Sequence, residues 1–211
     1  ELFILEKIVK KGHVIIDLSL NIDENGKLKN DYIIEGLIKD ASINFLDRAN
    51  FTNINFNFNL QKDNYYFDEI NFKSEEVNFI SKKINVKKKK NSFLIDAIVE
   101  NNQTSLNSNI LKLLNVSFEN IIIDDTKFKT NNKFSLEIDE KFKVKNITLN
   151  SDINITKLKY KNLKIIKKYF PEVDDLILFD NHKLNLNYKK KNLSIKGKGQ
   201  IQLNTEEVHE I

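Results

Sequence analysis

The sequence predicts a mainly β protein, an antiparallel sheet of long strands with two short helices. Three observations predict it. Over Phe51 to Leu60, FTNINFNFNL, apolar Ile54, Phe56, Phe58 and Leu60 alternate with Asn53, Asn55, Asn57 and Asn59. Successive strand side chains leave opposite faces, so this stretch carries one apolar face and one face for water. The same alternation recurs along most of the chain. Helical spacing replaces it in two places only, near 106–114 and 162–170.

In chain order, Val14, Ile16, Leu18, Leu20 and Ile22 form a first strand that ends at Glu24-Asn25-Gly26-Lys27, and Asn-Gly is a strong hairpin signal. The return strand carries Tyr32, Ile34 and Ile38 on one parity and Ala41, Ile43 and Phe45 on the other. This slip of phase near Lys39-Asp40 predicts a β-bulge or bend. After FTNINFNFNL come Tyr65 and Phe67, Ile70 and Phe72, Val77 and Phe79, then Ile84 and Val86. Phe93, Ile95, Ala97 and Val99 follow, where Leu94 and Ile98 predict cover on both faces.

Leu106, Ile110, Leu113 and Leu114 fall at i, i+4, i+7 and i+8, which predicts the first helix. Strands resume at Val116 and Phe118, at Phe134, Leu136 and Ile138, and at Phe142 and Val144. They continue through Ile147, Leu149, Ile153, Ile155, Leu158 and Tyr160. Leu163, Ile166 and Phe170 predict the second helix, stopped by Pro171. The chain closes with Leu184, Leu186 and Tyr188, a Lys189-Lys190-Lys191-Asn192 turn, and a strand holding Leu193, Ile195, Gly197, Gly199 and Ile201. Glycines two apart on an inward parity imply a bend or the close approach of another backbone. Ile-Asn-apolar tripeptides recur at uneven spacing, which favours an antiparallel meander over a β-helix.

One proline and five glycines in 211 residues favour long strands with few sharp turns. The composition, 40% hydrophobic and 30% charged, suits one core-forming segment over 1–211, and a start at Glu1 in a chain without methionine reads as an excerpt of a longer protein. Absent cysteine excludes disulfides and thiol chemistry. A net charge of +4, from 34 basic and 30 acidic residues, gives little support to nucleic-acid binding, and none is expected.

Asn21-Ile22-Asp23-Glu24-Asn25-Gly26 superficially matches the start of a calcium loop, yet Tyr32 stands where the bidentate glutamate belongs, so a hairpin turn is the better reading. His13, His182 and His209 lie far apart and read as solvent-facing or incidental. Phosphate-loop, dinucleotide and nucleophile-elbow motifs are missing. The lysine runs at 87–90 and 189–191 read as solvated turns. No enzyme, cofactor or metal is expected. The apolar stripe must be buried against something: it closes on itself as a sandwich or barrel plugged by the helices, or curls into an open trough for apolar ligands. The residues alone place the closed form first.

The segments YIIEGLIKDASINFL (32–46), FTNINFNFNL and KKYFPEVDDLILFDNHKLNLNYKKKNLSIKGKGQIQL (167–203) resemble the AsmA-like bacterial envelope proteins, particularly the YhdP-like members. The resemblance implies a long curved antiparallel sheet, a β-taco or groove, whose apolar concave side conducts phospholipid or other acyl lipid between inner and outer membrane without a covalent step. It implies a periplasmic location, with an inner-membrane anchor outside these 211 residues. The implied groove lining takes Ile16, Leu18 and Leu20 from the first strand and Ile34, Ile43 and Phe45 from its return. It adds Ile54, Phe56, Phe58 and Leu60, then Leu136 and Ile138, Ile153 and Ile155, and finally Leu184, Leu186 and Ile195. The alternative is a structural or adhesive all-β surface module without a ligand.

Overall fold

The computed structural model describes residues 9–29, 31–45, 49–113, 120–141, 143–161, 164–169, 171, 175–203 and 208–210. Its strands are β1 (Val9–Ser19), β2 (Ile33–Phe45), β3 (Ala49–Gln61), β4 (Asn64–Ser74), β5 (Val77–Lys89) and β6 (Ser92–Ser105), followed by β7 (Ile121–Ile122), β8 (Lys127–Asp139), β9 (Val144–Lys161), β10 (Leu176–Lys189), β11 (Asn192–Gln202) and β12 (Val208–Glu210). Two short helices, α1 (Ser108–Leu113) and α2 (Lys164–Tyr169), lie within the stretches of helical spacing. Among the described residues the strands form an open antiparallel sheet in the order β1-β2-β3-β4-β5-β6-β8-β9-β10-β11-β12, with β7 beside β9, and no pairing closes it into a barrel. The expected strand at Val116 and Phe118, together with Leu114, Phe142, Leu163 and Phe170, lies outside the described residues.

The chain divides into two compact units. One comprises Glu1–Glu100, Asn132–Leu149 and Tyr188–Lys191; the other comprises Asn101–Asn131, Asn150–Asn187 and Asn192–Ile211.

In the first unit, the β1–β2 connection turns as Asn25-Gly26 predicts, with Gly26 at φ 76°. Asp23 closes it: its carboxylate accepts from the backbone N–H groups of Asn25 and Lys27, both at 2.9 Å. The β8–β9 hairpin repeats the device, Asp139 accepting from Lys141 and Lys143 at 2.9 Å each. Both loops read Asp-Glu-x-x-Lys, and the side chain supplies the acceptor that the turn backbone lacks. The Asp139 carboxyl is held below its usual range, chiefly by the Lys143 N–H.

The scarcity of glycine does not spare the protein sharp turns. In the β4–β5 hairpin Ser74 pairs with Val77, and the two residues between them, Glu75 and Glu76, both take positive φ, 44° and 72°. Lys190 and Lys191 do the same, at 50° and 65°, between β10 and β11. These are the left-handed pairs that a two-residue hairpin needs, built here from residues that favour them poorly.

The phase slip read at Lys39-Asp40 is a β-bulge. Register shifts between Ile38 and Ala41, and Asp40 has φ 52°. It belongs to a set, because Asn53 on β3 (φ 51°) and Glu69 on β4 (φ 54°) carry the same conformation near register shifts or their partners. Bulges bend the strands that hold them. The slip at Asn53 also moves Phe51 onto the face of Ile54, where its ring meets Phe72 edge-on at 5.6 Å. Ala41, Ile54, Phe58, Ile70, Val77 and Ala97 form the buried core of this unit. Ile98 is 47% exposed, so β6 is not covered on both faces there.

In the second unit, Asn107 caps α1, its Oδ1 accepting from the Ile110 N–H at 3.0 Å, and buries Ile110 at the helix start. Asn101 is fully buried and ties β6 to β8: its Oδ1 accepts from the Thr130 N–H (2.9 Å) and hydroxyl (2.7 Å). On β11, a Cβ at Gly197 would lie 2.6 Å from Leu184 Cδ2 and one at Gly199 2.6 Å from the His182 ring. The two glycines thus admit neighbouring side chains rather than a second backbone. His182 is not solvent-facing, since both ring nitrogens are buried without a partner and Phe179 meets the ring at 5.3 Å.

Candidate functional site

Residues directly opposite in an antiparallel pair share a face, so the register of the first unit sorts its side chains. Leu18 pairs with Ile34, Ile34 with Leu60, Leu60 with Tyr65 and Tyr65 with Val86. One row of apolar and aromatic side chains thus crosses β1 to β5. A second row beside it runs Ile16, Gly36, Phe58, Phe67 and Ile84. Four inter-strand steps of about 4.8 Å give each row a length of about 19 Å.

The rows differ in burial. No member of the Leu18 row is buried: Leu18 is 56% exposed and the other four are half-buried. In the second row Phe58 is 9% exposed because its ring lies over Gly36, where an added Cβ would stand 2.7 Å from it. Phe56 braces Phe58 and Phe67, at ring separations of 6.3 and 5.6 Å. The second row is thus packed down at its centre, at Phe58, while its end residue Ile16 is 55% exposed, and no member of the first row is buried.

Among the expected lining residues, Ile16 (55%), Leu18 (56%) and Leu20 (45%) are exposed, and Ile34, Ile43, Phe56, Leu60, Leu136 and Ile138 are half-buried. Ile54 and Phe58 are buried and present little surface. The Phe45 side chain lies outside the described residues. In the second unit Ile153, Ile155, Leu184 and Leu186 are half-buried and Ile195 is 59% exposed. Ile153 and Leu184 line a shallow cavity of about 380 Å³ with Gly197, Lys183, Lys196 and Lys198. Tyr65 and Val86 complete the Leu18 row. Alternation marked both as strand residues, but only the pairing register places them beside Leu60.

The opposite face of β2 to β4 is a hydrogen-bonded network. Asn55 accepts from the Asp40 N–H (3.0 Å) and donates to the Asn53 carbonyl (2.8 Å) and Asn71 Oδ1 (2.9 Å). Asn57 donates to Glu69 (3.0 Å) and Asn59 to Glu35. The asparagines therefore hold the bulged residues in place.

Scans against protein-family models, curated proteins and solved structures find no match to the chain. Among the described residues, no helix is long and apolar enough to cross a membrane, and no cluster of three or more metal-ligating side chains occurs. Asp23, within the calcium-like stretch, accepts from the N–H groups of its own turn.

Proposed function

We propose that this chain is a non-enzymatic lipid-binding segment, holding acyl chains of phospholipid on the apolar face of its sheet. The observation that carries the reading is the Leu18–Ile34–Leu60–Tyr65–Val86 row, which crosses five strands without one buried member. Its length of about 19 Å suits an acyl chain, which spans about 15 Å in half of a bilayer core. A chain lying on one open face buries about half of its surface, so ten methylenes contribute on the order of 4 kcal/mol. Affinity of that kind needs no polar group, and one position along the row resembles the next closely enough for sliding. The AsmA-like resemblance extends the reading to lipid transfer in the bacterial periplasm, between inner and outer membrane, with an inner-membrane anchor outside these residues.

Photocrosslinking tests it. A photoreactive residue at Leu18 or Val86 is expected to capture phospholipid in cells, whereas one at Asn59, on the asparagine face, captures none. Leu60→Glu places a charge at the middle of the row and is expected to abolish capture at both ends. Unchanged capture in a folded Leu60→Glu protein would overturn the assignment.

A further inference from the structure

Strand β1 stands at one end of the strand order, and among the described residues its only neighbour is β2. Edge strands are normally protected by shortness, proline, inward charge or a bulge, because their free backbone groups recruit other strands. From His13 to Ser19, β1 is regular, proline-free and exposed at every position. Apolar residues stand out on both of its faces, Val14 (56%), Ile16 (55%) and Leu18 (56%) on one and Ile15 (59%) on the other.

The segment His13-Val14-Ile15-Ile16-Asp17 is also complementary to itself. In an antiparallel pair centred on Ile15, Val14 faces the partner's Ile16, Ile15 faces the partner's Ile15, and His13 faces the partner's Asp17. Two-fold symmetry supplies each unlike contact twice. Centring the pair one residue earlier sets His13 against the partner's Ile15, and one residue later sets Ile15 against the partner's Asp17. Only the Ile15-centred register matches apolar with apolar and a proton-bearing ring with a carboxylate.

We propose that the outer edge of β1 docks a second copy of this chain, β1 against β1 in antiparallel register about Ile15. The pairing satisfies the free backbone groups of both edges and covers the apolar side chains around the two-fold axis. It stands on the edge and its register, independently of lipid binding.

The absence of native cysteine makes disulfide trapping a direct test. In the proposed register the two copies of position 15 stand directly opposite, with Cα atoms about 4.5–5.5 Å apart, a separation that a disulfide spans. Under mild oxidation Ile15→Cys is expected to trap most of the protein as a dimer, with a doubled mass by light scattering. Ile195→Cys is equally exposed, at 59%, and is expected to stay monomeric. Asp17→Lys should slow trapping severalfold, and His13→Asp with Asp17→His should restore it, circular dichroism showing every variant folded. Equal trapping at Ile15→Cys and Ile195→Cys, or trapping indifferent to Asp17→Lys, would overturn the proposal.

Discussion

Asn55→Ala removes the tie between the bulges of neighbouring strands. Three hydrogen bonds are lost at once: the one accepted from the Asp40 N–H at 3.0 Å and those donated to Asn53 and Asn71 at 2.8 and 2.9 Å. Each such bond is worth about 1 kcal/mol net, and the half-buried site lets water recover part of it, so a loss of about 2 kcal/mol is expected. Asp40 and Asn53 hold left-handed conformations, at φ 52° and 51°, that cost non-glycine residues about 1 kcal/mol or more each. Without the side chain that satisfies their backbone, these conformations lose their support. Urea unfolding of Asn55→Ala beside Asn57→Ala, which removes a single bond to Glu69, measures the effect. The Asn55 variant is expected to lose at least about twice as much stability as the Asn57 variant. Equal losses, or a loss under about 0.5 kcal/mol at Asn55, would refute the bracing role.

The hairpin turns predict a gain. Replacing Glu75-Glu76 by Asn-Gly supplies residues suited to φ 44° and 72° and is expected to raise stability by about 1 kcal/mol, read as an upward shift of the urea midpoint. Asp139 predicts a pH dependence. Because turn N–H groups hold its carboxyl below the ordinary range, its contribution is present above about pH 4 and fades as acid protonates it. Asp139→Asn is therefore expected to be less stable than the native chain at neutral pH, the gap narrowing in acid unfolding measurements below about pH 4.

Alternation made the sheet legible because its period is independent of what covers the strands. It also exposed the Asp40 bulge, where Ile38 and Ala41 cannot share a face without an extra residue. The turns were harder. The turn at Lys189-Lys190-Lys191-Asn192 was legible, but Glu75-Glu76 carries none of the usual turn chemistry, and composition pointed away from tight hairpins at both places. The separate apolar pairs from Val144 to Tyr160 gave no sign that they join in one strand of 18 residues.

Side-chain roles depended on register, which a sequence does not display. FTNINFNFNL marked its apolar face correctly, but the burial of Phe58 beside a half-buried Leu60 depends on Gly36 lying opposite Phe58. The asparagines read only as the face for water because their partners, Glu35, Asp40, Glu69 and Asn71, sit on other strands. His182 read as incidental for the same reason, its packing partner Gly199 belonging to β11.

Native mass spectrometry of the chain purified from bacterial cells tests lipid binding most directly. The native chain is expected to carry phospholipid, and Leu60→Glu to be folded and stripped of it. A native chain that emerges lipid-free, and takes up none from phospholipid vesicles, would rule out acyl-chain binding on the Leu18–Val86 row.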